Sequence, residues 1–162
     1  SDTLNGGSGN DTIITDVTVL TGYTTETEDL SMDIINAGAG DDVIITAGSA
    51  DIISGGTGSD IFTYSKIPAG VDTITDFDIS NDMNADDDIL NLGDLLSQDT
   101  SYANVNLDDY IRVTGGTLQV SSSGNFADMG SISNIANLSG VNMNDTIKIW
   151  DGDSIETITV IS

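Results

Sequence analysis

The chain has 162 residues, with 27 acidic side chains against three basic ones and a formal net charge of −24. That self-repulsion opposes compaction unless counter-charges are bound, and it makes nucleic acid and anionic membranes poor partners. There is no cysteine and no histidine, which excludes disulfides, Cys or His zinc sites and His-based triads. Such acidity would also suit a disordered tail, but 38% of the residues are hydrophobic and isoleucine recurs regularly. A fold that depends on a bound cation accounts for both features. No apolar run reaches the length of a membrane-spanning helix, and no signal peptide opens the chain, so no membrane insertion is expected.

Residues 1–5, SDTLN, read as the tail of a repeating unit, with Asp2 and Leu4 at fixed positions, so the array is expected to extend upstream. Residues 6–14, GGSGNDTII, form a complete unit of nine, with Gly6, Gly7, Gly9, Asp11 and Ile13 in place. Residues 15–27 are a Thr-rich insertion of thirteen, expected to bulge as a loop or hairpin, with an edge strand around Val17, Thr18 and Val19. No regular Thr ladder supports a Thr-based ligand surface there. Residues 28–36 resume the register with Asp33 and Ile35, although every glycine has gone.

Residues 37–63 are three further units in strict register, AGAGDDVII, TAGSADIIS and GGTGSDIFT. Asp42, Asp51 and Asp60 occupy the sixth position, and Ile44, Ile53 and Phe62 the eighth. Glycines at the first, second and fourth positions, as at Gly38, Gly40, Gly55, Gly56 and Gly58, let the backbone turn tightly so that carbonyl oxygens converge with the Asp carboxylate. Carbonyls and carboxylates are the hard oxygen ligands that calcium prefers. The last three residues alternate as a short strand, which points the eighth inward. One unit cannot bury that residue alone, whereas stacked units can.

The pattern resembles G-G-x-G-x-D-x-U-x, the calcium-binding nonapeptide of the repeats-in-toxin (RTX) family. The resemblance implies an all-β fold, a parallel β-roll with two nonapeptides per turn, turns at both edges and Ca2+ held between stacked turns. Two columns of turns then separate. The one ending at Asp11, Asp42 and Asp60 keeps most of its glycines, and the one ending at Asp2, Asp33 and Asp51 has nearly lost them. Well-formed calcium sites are therefore expected between Asp11 and Asp42 and between Asp42 and Asp60, with weaker or absent sites at Asp33 and Asp51. The alternative is that these aspartates only form turns.

The sole proline, Pro68, suggests an exit from the roll. Residues 71–77, VDTITDF, alternate like a strand with Val71, Ile74 and Phe77 as its apolar members. The acidic stretch 76–88 lacks the glycine and glutamate of an EF-hand, because Asp87 and Gly93 stand at those positions; a solvated turn and an irregular calcium loop remain open. Residues 89–96 read as a buried strand passing into a helical turn. Strands are expected over 109–113 and 117–121, joined at Gly115 and Gly116, and over 146–150 and 155–161, while 132–138 shows too little periodicity to assign. Trp150 could serve as a sugar platform, but hairpin packing is favoured.

Repeats followed by VDTITDF, an acidic loop and ILNLGDLL resemble the C-terminal type I secretion target region of very large bacterial adhesins, in which this segment caps the roll. The ending ETITVIS is similar to type I secretion signals. The chain thus divides into a roll over 1–63 and a β-rich capping and secretion region over 64–162. The resemblance implies a noncatalytic, secreted, extracellular module of a bacterial cell-surface adhesin that folds on calcium, engages the type I secretion machinery and serves a parent protein with its own cell-surface ligand. A carbohydrate- or protein-ligand-binding roll is the other reading. No nucleophile and base constellation marks an enzyme.

Overall fold

A computed structural model describes residues 3–15, 31–46, 48–79, 86–97, 109–124 and 126–161. The insertion, apart from Thr15, and residues 80–85 of the acidic loop lie outside these residues. The chain is almost entirely β and forms a two-sheet parallel roll. One sheet is built from β1 (Thr3–Ser8), β3 (Ile34–Ala39), β5 (Ile52–Thr57) and β7 (Asp72–Ile74), then β11 (Ile132–Leu138), β10 (Thr117–Ser121) and β9 (Ile111–Thr114). The other runs from β2 (Thr12–Ile14) through β4 (Val43–Thr46), β6 (Ile61–Tyr64) and β8 (Ile89–Asn91) to β12 (Thr146–Trp150) and β13 (Ile155–Thr159).

The eighth-position residues form two columns that face each other. In the first sheet Leu4, Ile35, Ile53 and Ile74 are in register, followed by Leu138. In the second Ile13, Ile44, Phe62, Leu90 and Ile149 align in the same way. All but Leu4 are buried, and Phe62 meets Phe77 at a ring separation of 5.8 Å. Each rung thus contributes one apolar side chain from each sheet. Removing such surface from water is worth about 1.5–3 kcal/mol per side chain, which is why the rungs stabilise one another and not themselves.

The insertion leaves this register intact. Asp11 and Asp42 are 31 residues apart and Asp42 and Asp60 are 18 apart, yet both pairs stand on neighbouring rungs. Pro68 does not mark an exit. Its segment forms another edge turn, with Ala69 and Gly70 N–H donating to the Gly48 carbonyl at 2.7 and 3.2 Å, and delivers the chain to β7, a further parallel rung. Proline has no N–H to offer, and here the two residues after it make the contacts. Both parallel sheets therefore run across residue 63, through β7 and β8 and on to β11 and β12.

Residues 89–96 behave as expected, with β8 leading into α1 (Gly93–Ser97), whose Leu95 and Leu96 are buried. Gly115 and Gly116, at φ 54° and 80°, make the β9–β10 hairpin turn, which needs positive φ at both central positions. The unassigned stretch 132–138 is β11. Its pairing slips between Leu118 and Gln119, and both Ile135 and Ala136 are buried, so a β-bulge breaks the alternation. Trp150 is half-packed against Gly93 and 37% exposed.

Candidate metal centre

The turns that join β1 to β2, β3 to β4 and β5 to β6 stack along one edge. Their second and fourth positions, Gly7 and Gly9, Gly38 and Gly40, Gly56 and Gly58, all have φ between 104° and 130°. The requirement is sharpest at Gly38 and Gly56. A Cβ on Gly38 would collide with the Gly7 carbonyl, and one on Gly56 with the Gly38 carbonyl. First-position glycines serve the carboxylate instead, since a Cβ on Gly6 would lie 2.7 Å from Asp11 Oδ2, and one on Gly55 would strike Asp60 Oδ2. Absence of side chains lets the turns nest, and nesting lines up their carbonyl oxygens.

The aspartates along this edge form a ladder. Asp11 N–H donates to Asp42 Oδ1 at 2.6 Å, Asp42 N–H to Asp60 Oδ1 at 2.9 Å, and Asp60 N–H to Asp88 Oδ1 at 2.9 Å. One oxygen of each acceptor is therefore committed. The second oxygen of Asp42, like Asp11 Oδ2, is buried and has no hydrogen-bond partner among the described residues. Asp60 shows the cost of this arrangement. Burial pushes its carboxyl up to about 6 against the Asp42 N–H, and the charges of Asp42, Asp76 and Asp41 push in the same direction as burial.

Buried, donor-poor carboxylate oxygens beside a column of carbonyls are what a hard divalent cation would complete. Among the described residues no three carboxylates converge into a cage. Main-chain carbonyls must therefore supply part of any coordination. Asp11, Asp42 and Asp60, with the carbonyls of the glycine turns, fit Ca2+, which would neutralise the edge.

The opposite edge is built otherwise. Asp33 N–H donates to Asp51 Oδ1 and Asp51 N–H to Asp72 Oδ1, each at 2.9 Å, repeating the ladder. Asp51 Oδ2 is buried just as Asp11 Oδ2 and Asp42 Oδ2 are, but hydroxyls reach other carboxylate oxygens of this edge. Ser49 Oγ donates to Asp51 Oδ1 at 3.1 Å and also contacts the Ser31 carbonyl, while Thr46 Oγ1 donates to Asp72 Oδ2 at 2.7 Å. Asp72 is fully buried, and burial raises its carboxyl to about 6 although the Asp51 N–H and the Thr46 hydroxyl oppose the rise. The buried Tyr64 phenol beside it is pushed upward by burial and by the Asp72 charge.

Sequence reading missed Asp72 and placed Asp76 and Asp88 only within an acidic stretch, as a solvated turn or an irregular calcium loop, not as part of the aspartate ladder. Asp88 accepts from Asp78 N–H at 2.8 Å as well as from Asp60, so both of its oxygens are used, and burial raises it to about 7. Asp76 caps Gly55 N–H, Gly56 N–H and the Ser54 hydroxyl at 3.0, 3.1 and 2.6 Å. A signal did exist. Asp72 with Ile74 and Asp88 with Leu90 keep the Asp-x-apolar spacing of the repeats. Asp87 belongs elsewhere, in an ion pair with Lys148.

The pattern of the RTX calcium-binding nonapeptide repeat matches residues 1–16 and 31–62 in four copies. These segments are calcium-binding repeats, and calcium is their ligand. Among solved structures, the chain is similar to the C-terminal domain (RV) of MpAFP, at 23% identity and a TM-score of 0.52, covering 98% of this chain and 99% of that one. The two share an overall fold. No curated protein matches the chain significantly. No helix among the described residues is long and apolar enough to cross a membrane.

Proposed function

We propose that this chain is a noncatalytic module of a secreted adhesin, that Asp11, Asp42 and Asp60 with their glycine turns hold its calcium, and that the Asp33 and Asp51 edge holds little or none. The observation that carries this reading is the contrast between the edges. Along the first, Gly7, Gly9, Gly38, Gly40, Gly56 and Gly58 all take positive φ and nest the turns so that their carbonyls line up. Along the second, of the described turn glycines only Gly48 does, and the Thr46 hydroxyl occupies Asp72 Oδ2.

The mechanism is calcium-linked folding. Extracellular calcium modules bind with dissociation constants of about 0.1–1 mM, far above cytosolic free levels. Inside a cell the acidic repeats repel one another and stay extended, a form suited to export through the type I secretion machinery. Outside, ion binding adds to folding free energy because the unfolded chain has no preformed site. Residues beyond the rungs of β7 and β8 cap the roll and carry the secretion signal. Likeness to the MpAFP domain supports the shape of such a cap, and the adhesin and export roles are inferred from the resemblance of the repeats and the chain's ending.

Calcium titration of chelated protein, followed by far-ultraviolet circular dichroism with magnesium as control, tests the folding switch. A cooperative gain of β structure specific to calcium is expected, and a fully folded protein indifferent to calcium would refute it. Loss of export after deletion of the last residues of the parent protein tests the secretion role separately.

A further inference from the structure

At the end of the roll away from β1 and β2, the two sheets approach each other through β9 and β13. They join at one point, where Thr114 and Ile161 form a parallel bridge, Ile161 N–H donates to the Val113 carbonyl at 2.9 Å and Gly115 N–H to the Ile161 carbonyl at 3.3 Å. From there the edges part. They leave a cavity of about 300 Å³ lined by Ile111, Arg112, Thr157, Ile158, Thr159 and Ile161.

Strand alternation determines what faces this gap. Gln119 pairs with Arg112 inside the β9–β10 hairpin, and Val113 turns its carbonyl outward to Ile161, so the main-chain groups of Ile111 and Val113 point to the free edge. On the other side Ile158 pairs with Ile147 of β12, which leaves the main chain of Thr157 and Thr159 pointing toward β9. Stacked sheets lie about 10 Å apart and paired strands about 4.8 Å, so the mouth of a roll spans about two strand spacings. An extended segment placed there has, among the described residues, an unpaired edge on each side, with the short apolar walls of Ile111, Ile158 and Ile161 between.

Arg112 adds a charge. It is one of three basic residues in the chain, and Lys148 is already paired with Asp87. Arg112 Nε donates to Gln119 Oε1 at 2.8 Å, and its guanidinium lies 4.2 Å from the centre of the Phe126 ring. Gln119 is held in turn by Asn134 at 2.7 Å. These contacts fix the guanidinium by neutral partners, and among the described residues it makes no ion pair. In a chain with 27 acidic residues, a positioned arginine that meets no carboxylate among the described residues, at the rim of a cavity, suits an incoming carboxylate.

We propose that the gap between β9 and β13 binds an extended peptide strand bearing a carboxylate, with its main chain paired to one or both sheet edges and its carboxylate on Arg112. Main-chain hydrogen bonds give such strand addition its affinity, and the arginine gives it selectivity. The partner is a β-forming segment with one acidic residue among apolar or β-branched neighbours.

The test is an amide-resolved nuclear magnetic resonance titration of the calcium-saturated full chain. The probe is acetyl-Val-Thr-Glu-Thr-Val-amide, compared with the same peptide carrying Gln for Glu. Shifts concentrated at the amides of Ile111, Val113, Thr157 and Thr159 are expected, with affinity about tenfold weaker for the Gln peptide and for Arg112→Gln, as loss of a charged hydrogen bond predicts. The peptide exchange needs no protein variant, so it stands even where Arg112→Gln disturbs the fold. Equal binding of both peptides, or shifts confined to other surfaces, would overturn the proposal. So would acetate alone reproducing the shifts, which would assign a small-acid pocket. Concentration-dependent shifts at these amides without peptide would assign the gap to a second copy of the chain and refute the acidic-peptide occupant.

Discussion

Asp60 N–H donates to Asp88 Oδ1 at 2.9 Å across 28 residues, the same contact that Asp42 makes with Asp60 inside the repeats. The ladder therefore continues one rung past the last nonapeptide, but its chemistry changes there. Asp42 keeps one buried oxygen without a donor, whereas Asp88 commits both of its oxygens to backbone N–H groups. On the proposed reading of the metal sites, that difference ends the calcium column between Asp60 and Asp88.

Asp42→Asn should weaken calcium binding more than any other single change, because Asp42 stands between both proposed sites. An apparent affinity loss of about tenfold or more is expected from removing one charged oxygen contact. Asp33→Asn should leave the calcium midpoint nearly unchanged. Isothermal titration calorimetry of the two variants checks the contrast, and equal losses would contradict the asymmetry of the edges.

On the second edge, Thr46→Val removes the hydroxyl that donates to Asp72 Oδ2. The carboxylate is left buried with one fewer donor, at a cost of about 1–3 kcal/mol. Denaturant unfolding at saturating calcium should show that loss with no change in the number of ions bound. A change in ion number would place metal on this edge.

Two glycine substitutions separate backbone strain from steric collision. Gly9 has φ 104° and open space around an added Cβ, so Gly9→Ala should cost only the conformational term, about 1–2 kcal/mol. Gly38 has φ 117° and the Gly7 carbonyl in the way, so Gly38→Ala adds displacement of the neighbouring turn. Thermal unfolding in calcium should show Gly38→Ala as much the more damaging of the two.

Acid should stabilise the metal-free protein. Burial raises the carboxyls of Asp60 and Asp72 from 3.8 to about 6 and that of Asp88 to about 7. The folded form then holds more protons than the unfolded one between those limits, so stability is fully present below about pH 4 and is lost as pH rises through 6 to 7. Far-ultraviolet circular dichroism of chelated protein should show a growing folded fraction as pH falls from 7.5 to 5. Over the same range calcium should bind more weakly, since it competes with the proton at Asp60.

In the core, Ile53 stands between Ile35 and Ile74 and is fully buried. Ile53→Ala should cost about 2–5 kcal/mol, because a close-packed stack closes a cavity only partly. Denaturant midpoints at fixed calcium check this.

Local chemistry made the roll legible in the residues themselves. The Asp-x-apolar spacing and the glycines at positions that need positive φ read directly as nested turns and inward strands, and the contrast in glycine content between the two edges was already visible. Further along, turn lengths vary, so Asp72 and Asp88 left the nine-residue frame while keeping their rungs. The bulge at Ile135 and Ala136 likewise hid β11 by breaking its alternation. Which carboxylates find a donor was decided only by the tertiary structure. Thr46 meets Asp72 across 26 residues, and no local pattern encodes such a contact, because it exists only once two rungs have stacked.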